Sequence, residues 1–363
     1  MNKPHSLYIH IPFCAHICDY CDFTKLQYFR NFAESYLKEL KKECDIYHIS
    51  HLKTIYVGGG TPTSLDDDLF EELLKIIAPY TKGVEEYTFE ANPESLSETK
   101  IKLLSQYGVN RLSIGVESTD DEILKRINRQ HSFKDVIKAV ELLKENGLNN
   151  INVDLILGLP NCSMSLLKQD LENVLSLGIK HLSCYALSIH PHTVLYNEGY
   201  RESDDDLMRQ YYDLVDDFLK KKNFKHYEVS NWCLDGYQSK HNLTYWRNEQ
   251  YYGVGLGASG YIGTMRYKNT INLDKYLIGQ YVQEEETLTA QDELTYQIML
   301  NLRTDEGLDL DYLKEHFACD LLKTKNSEIN ALIKQGYLFL IENKLIPTYQ
   351  GMMVLDSIVL QLI

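Results

Sequence analysis

The stretch "SLYIHIPFCAHICDYCDF", Ser6 to Phe23, joins an apolar run that reads as a β-strand to three cysteines, Cys14, Cys18 and Cys21, in the spacing C-x3-C-x2-C. Thiolates are soft ligands that suit zinc or iron and sulfur. A structural zinc site usually draws its ligands from two separate pairs, so a zinc reading needs His10 or His16 as a fourth donor. A [4Fe–4S] cluster usually takes four cysteines, and three leave one iron open to another ligand. The other cysteines, Cys44, Cys162, Cys184, Cys233 and Cys319, are scattered without framework spacing, which fits a reducing compartment.

Beyond this stretch, strand-like runs alternate with helical patterns. After "SLYIHIPF" an amphipathic helix is predicted over 32–47, then "TIYVGGG", "EYTFEANP", "NRLSIGVES", "NINVDLILGLP" and "HLSCYALSI" follow as strands, most of them succeeded by a helix pattern. Such near-continuous apolar runs belong to strands covered on both faces. Six βα units in series predict an α/β protein with a parallel sheet, doubly wound or curled into a barrel. Right-handed crossovers then gather every strand's C-terminal end on one side, where functional groups collect. Between 204 and 222, Leu207, Met208, Tyr211, Leu214, Val215, Phe218 and Leu219 form one helical stripe and predict a packed helix. The Gly-, Tyr- and Trp-rich "SKHNLTYWRNEQYYGVGLGASGYIG" has no long period and reads as irregular structure or short strands. From about Thr289, helix patterns, a hairpin turning at Glu342 and Asn343, and a closing helix predict a winged-helix-like accessory domain. The expected division is 1–230, a connecting segment 231–288, and 289–363.

The chain has 363 residues, 44% of them hydrophobic, enough for a large core. With 37 basic against 52 acidic residues the formal charge is −15, and no Lys/Arg block appears, so nucleic acid is not an expected partner. Without a signal-like N-terminus or an apolar run near the roughly 18 residues of a membrane span, a cytoplasmic protein is expected. Peripheral contact with the inner face of the membrane stays open; it would use apolar side chains, because the net charge repels anionic headgroups.

C-x3-C-x2-C after the first strand of a βα series resembles the radical S-adenosylmethionine (radical SAM) superfamily. There the amino and carboxylate groups of the cosubstrate occupy the open iron, and electron transfer to the sulfonium yields a 5′-deoxyadenosyl radical. "LYIHIPFC", "YVGGGTPT", "FEANPE", "GVNRLSIGVES", "NRQHS", "VDLILGLP" and "HNLTYW" extend the resemblance over nearly the whole chain, to the oxygen-independent coproporphyrinogen III oxidase-like family. It implies a partial (β/α)6 barrel over 1–230 that carries [4Fe–4S] and S-adenosylmethionine.

The resemblance assigns Cys14, Cys18 and Cys21 to the cluster. It assigns Tyr8, Tyr20, Gly59, Gly60, Thr61, Glu90, Glu117, Arg129 and Asp154 to the cosubstrate. Read from the residues alone, the run Gly58 to Gly60 is a tight turn or a close backbone approach. Arg129 is a helix-end charge or a bidentate carboxylate partner. Asp154, inside an apolar strand, must be paired or lie at the strand end. Glu117 departs from the family, which generally has glutamine there; an ionised glutamate cannot donate a hydrogen bond.

Within the family, the dehydrogenase branch resembles C-x3-C-x2-C-x-C and carries an added N-terminal segment. Here Phe23 stands where the fourth cysteine would be, and few residues precede Leu7. Both features, with "HNLTYW" (His241 to Trp246), resemble the haem-chaperone branch and imply haem as cargo, held near His241, Tyr245 and Trp246. Imidazole is a common axial ligand of haem iron, and aromatics offer flat apolar surface. Tyr245 and Trp246 read equally well as core aromatics, and His190 and His192 are alternative ligands. The expected partners are haem, apo-haem proteins that receive it and an electron donor, with a homodimer left open. Oxidative decarboxylation of coproporphyrinogen III is the alternative activity, and a zinc-stabilised binding module is a third reading.

Overall fold

The computed structural model describes residues 3–363. Its centre is a nine-stranded sheet. Six strands and their helices arrive in the expected alternation: β1 (Ser6–Ile11), α1 (Arg30–Ile46), β2 (Thr54–Gly59), α2 (Asp67–Ile77), β3 (Glu86–Ala91), α3 (Glu98–Gln106), β4 (Arg111–Glu117), α4 (Phe133–Glu145), β5 (Ile151–Leu157), α5 (Met164–Ser176) and β6 (His181–Ala186). Then come α6 (Asp205–Lys220), β7 (Lys225–Glu228), β8 (Asn231–Cys233), α7 (Lys240–Trp246) and β9 (Tyr252–Val254). The strand order is β9-β1-β2-β3-β4-β5-β6-β8-β7. From β9 to β6 all pairings are parallel, and β8 is antiparallel to both β6 and β7.

The two faces of this sheet differ in chemistry because side chains alternate along a strand. Ile55, Val57, Phe89, Leu112, Ile114, Val153, Leu155, Leu182 and Cys184 are buried in the main apolar core with the helices. The intervening positions carry Tyr56, Glu90, Ser113, Asn152, Asp154, Ser183 and Tyr185. Several of these bond one another: Asn152 Nδ2 donates to Ser113 Oγ (2.7 Å), Asp154 Oδ1 (2.8 Å) and Ser183 Oγ (3.0 Å). Much of this polar face is thus paired within itself, as buried polar groups usually are. Helix starts follow their sequence signals: Ser97 caps α3, Ser132 and Asp135 form a capping box on α4, and Asp204 caps α6. The predicted stripe of α6 packs inward through Tyr211, Val215 and Leu219, while Leu207, Met208, Leu214 and Phe218 cover the core edge.

The segment read as irregular is more ordered than expected. Its "HNLTYW" forms α7, whose start is fixed by the Ser239 cap and by Glu86, which accepts from the backbone N–H groups of Lys240 (2.9 Å) and His241 (2.9 Å). Tyr252–Val254 then adds a parallel edge strand beside β1. Glu43, buried on α1, anchors the chain beyond β9 by accepting from Gly255 N (2.8 Å), Asn269 Nδ2 (2.6 Å) and Tyr276 OH (2.6 Å). These anchors come from distant parts of the chain, so local periodicity carried no sign of them.

A second apolar cluster, from Ile298 to Leu362, forms the C-terminal unit. It contains helices Ala290–Asn301, Leu310–Phe317, Asn326–Lys334 and Leu355–Leu362, with the hairpin Leu338–Ile341 and Lys344–Pro347 completing a three-stranded sheet. No described helix is long and apolar enough to cross a membrane.

Candidate functional site

The C-terminal ends of β1 to β6 converge on one cavity of about 470 Å³. Cys14, Cys18, Tyr20, Cys21, Gly59, Gly60, Thr61, Glu90, Glu117, Arg129 and Asp154 all line it, so eleven residues widely separated in sequence meet in one place.

The cysteine loop leaves β1 and is held from several sides. Gln27 donates to Ala15 O (2.6 Å), Asn128 to Ile17 O (2.9 Å) and Lys25 to Cys21 O (2.5 Å). His10, buried beneath the loop, places Nε2 2.7 Å from Thr24 O and Nδ1 2.9 Å from Tyr8 OH. Among the described residues no group of three or more His, Cys, Asp or Glu side chains stands at metal-binding distance, so cluster assembly would draw the thiols together. Burial pushes the Cys14 thiol up to about 11. Metal or cluster binding would therefore release a proton there.

The glycines at the end of β2 are a close approach. Gly59 has φ +116°, and a Cβ on Gly60 would lie 2.8 Å from the backbone oxygens of Pro12 and Phe13. Only glycine lets the cysteine loop rest on this strand end. Gly59 N also donates to Glu90 Oε2 (2.9 Å), and Tyr56 OH donates to Glu90 Oε1 (2.8 Å).

Glu117 ends β4 in the left-handed region (φ 68°), at a shift in register against β5. Arg129, almost fully buried, lies 3.6 Å from it, donates to Gly115 O and to Asn92 Oδ1 (3.1 Å), and puts Nη1 3.5 Å from Cys18 Sγ. The helix-end reading of Arg129 as a solvated charge is thus replaced by a buried one. Asp154 accepts from Ser113 and Asn152. Burial pushes the carboxyls of Glu90 and Glu117 up to about 7, with Asp154 adding repulsion to both, and raises Asp154 itself. Glu90, Glu117 and Asp154 thus share the inner chamber with Arg129, and Asp22 and Lys25 also line the cavity.

Acids outnumber cations on this lining, and a ligand with cationic groups and a carboxylate for Arg129 complements it. S-adenosylmethionine has a sulfonium, an ammonium and a carboxylate, so the donor set fits it, and the three thiols fit an iron–sulfur cluster with one open iron.

Other expected residues lie elsewhere. Tyr8 does not line the cavity; it sits deeper, against His10 and Tyr56. His241 is at the opposite end of the sheet and fully buried. Its Nδ1 is 2.8 Å from Thr54 Oγ1, its Nε2 is 2.8 Å from Tyr245 OH, and its ring stacks on Tyr56 at 5.2 Å. Burial drives its pKa down to about 3, so it is neutral. In this conformation both ring nitrogens are engaged and neither faces a porphyrin. Tyr245 packs edge-on to Tyr251, and Trp246 packs with Tyr227, Cys233 and Leu243. The motif helix plugs the base of the barrel rather than lining the cavity. Tyr56, Asn92, Ser113, Tyr185 and His190 line the chamber but were not singled out for the cosubstrate. For Tyr56, Ser113 and Tyr185 the signal was a polar residue at alternate positions of strands that otherwise read as apolar; Asn92 and His190 lie in the loops that follow such strands.

The fold and this site define a radical SAM protein: residues 8–174 match the radical SAM superfamily and 288–354 the HemN C-terminal domain. The chain is 40% identical to the heme chaperone HemW of Lactococcus lactis (93% of this chain, 92% of the relative). It is 36% identical to that of Bacillus subtilis (95% and 96%) and 31% to that of Escherichia coli (92% and 92%). It belongs to the HemW family. Coproporphyrinogen III oxidase (HemN) from Escherichia coli, a radical SAM enzyme, shares the fold with a TM-score of 0.86 at 19% identity, over 99% of this chain and 90% of that one.

Proposed function

We propose that the chain is a haem carrier that holds a [4Fe–4S] cluster on Cys14, Cys18 and Cys21, binds S-adenosylmethionine beside it, and passes haem to apo-haem proteins such as respiratory cytochromes. The observation that carries this reading is the single chamber of three cysteines, three carboxyl groups and Arg129, in a chain whose relatives along nearly its full length are named heme chaperones.

Bound S-adenosylmethionine and a cluster supplied by an electron donor provide one-electron chemistry. The chain's own residues bind and orient. Arg129 would take the ligand carboxylate, Glu90 and Glu117 would face its cationic groups, and Asp154 would accept from ribose hydroxyls. Gly59, Gly60 and Thr61 leave room for the cosubstrate's amino end. Tyr20 closes the chamber from the cysteine loop.

The test is anaerobic. Cluster-loaded protein is titrated with haem, then incubated with coproporphyrinogen III, S-adenosylmethionine and reductant. Stoichiometric haem binding without decarboxylated porphyrin is expected. Haem binding no stronger than that of an unrelated acidic protein, or conversion of coproporphyrinogen, would overturn the carrier reading.

A further inference from the structure

If haem is the cargo, its iron needs an accessible axial ligand, and His241 supplies none in this conformation. The rim of the cavity does. His190 lines it with its side chain about half exposed, and its Nε2 lies 3.2 Å from Asp22 Oδ2. A carboxylate at that distance holds the ring with Nε2–H as donor, which leaves the Nδ1 lone pair for a metal. This pairing is the one that metal-bound imidazoles use to fix their tautomer and raise their basicity. Among the described residues nothing hydrogen-bonds His190 Nδ1. The backbone beneath the ring is fixed, since His190 O accepts from Thr193 Oγ1 (2.8 Å) and Ile189 N donates to Glu202 (2.6 Å).

The flanks of the same rim suit a flat macrocycle. Phe23 is 67% exposed and Tyr185 41% exposed, although both line the cavity. Exposed aromatic rings beside a concave site mark it for an apolar ligand. Lys25 lies on the same lining and offers charge to a carboxylate. Phe23 also stands where the fourth cysteine of the dehydrogenase pattern would be, so the departure that reads as a loss in the sequence is a gain of apolar surface in the fold.

We propose that the cavity mouth is the haem site of this protein, with His190 Nδ1 as axial ligand, Asp22 orienting its ring, and Phe23 and Tyr185 walling the macrocycle. The assignment rests on the haem-carrier reading. It places the cargo above the cosubstrate chamber and next to Cys21, so that the order of the cysteine loop bears on haem retention through Asp22.

The experiment is an anaerobic haem titration of the cluster-loaded wild type and of His190→Ala, Asp22→Asn and His241→Ala, read by the Soret band, with circular dichroism to verify folding. Wild type is expected to give the spectrum of imidazole-ligated haem. His190→Ala should lose that spectrum and bind at least roughly tenfold more weakly, and free imidazole should restore it. Asp22→Asn should keep the ligated spectrum while raising the haem reduction potential, because the imidazole becomes a poorer donor. His241→Ala should keep the wild-type spectrum. A His190→Ala titration that matches wild type, or loss of the ligated spectrum in folded His241→Ala alone, would overturn the assignment and leave the carrier reading standing. A wild type that takes up no haem would end both.

Discussion

Glu90 and Glu117 sit in a chamber where ionising either one meets burial and the Asp154 charge; hydrogen bonds from Tyr56 and Gly59 oppose this at Glu90, and Arg129 with Tyr20 opposes it at Glu117. Both titrate near 7 rather than at the ordinary 4.5, so the folded chain holds their protons more tightly than the unfolded chain does. Stability from this source is complete below about pH 4.5 and is lost as pH rises through about 7. Glu117→Gln removes one titrating site while keeping the shape. The ligand-free melting temperature of that variant should fall less steeply than wild type between about pH 5 and 8. Parallel slopes would show that Glu117 is not held protonated. His241 makes the opposite kind of prediction. His241→Ala leaves a void beside Tyr56 and removes one hydrogen-bond partner each from Thr54 and Tyr245, which should cost about 2–4 kcal/mol in chemical denaturation. A neutral effect would contradict its place as a packed plug.

Among the elements, the cysteine loop and the end of β2 depend on one contact. Gly60→Ala would push a methyl group against the Pro12 and Phe13 carbonyls, where backbone cannot yield cheaply. The expected cost is about 1–3 kcal/mol, with a lower iron content after anaerobic reconstitution, measured by iron and sulfide analysis. Wild-type iron loading would mean that the loop does not rest there. These elements were legible in the sequence to different degrees. β1 to β6 announced themselves because buried parallel strands are apolar over their whole length, and the Gly58 to Gly60 run marked its own turn. Helix α7 did not, since its order comes from Ser239 and from Glu86 more than 150 positions away. The motif resemblance grouped the residues that line the chamber from Cys14 to Asp154, though it also included Tyr8, which lies outside it. The inward polar residues Tyr56, Ser113 and Asn152 were not legible, because one polar residue in a strand looks incidental until its neighbours across the sheet are known.

Over the molecule as a whole, the chamber opens at one end of the sheet and the motif helix closes the other, with Tyr56 spanning them: its OH meets Glu90 and its ring stacks on His241. The C-terminal unit packs behind the motif helix through Asn301 to Trp246 O (2.8 Å) and the Arg247–Glu306 ion pair (2.5 Å). Its own core should therefore be separable from ligand binding. Leu313→Ala, in the second cluster, should cost about 2–5 kcal/mol without changing S-adenosylmethionine affinity measured by calorimetry, and a large loss of affinity would mean that the two units share one site. Whether the molecule carries haem and gives it up is decided by following the Soret band as haem-loaded, cluster-containing protein is mixed with excess apo-haem protein. Transfer of one haem per carrier is expected, with a rate that saturates as the acceptor concentration rises. A rate equal to that of spontaneous haem loss, independent of acceptor, would contradict the carrier reading.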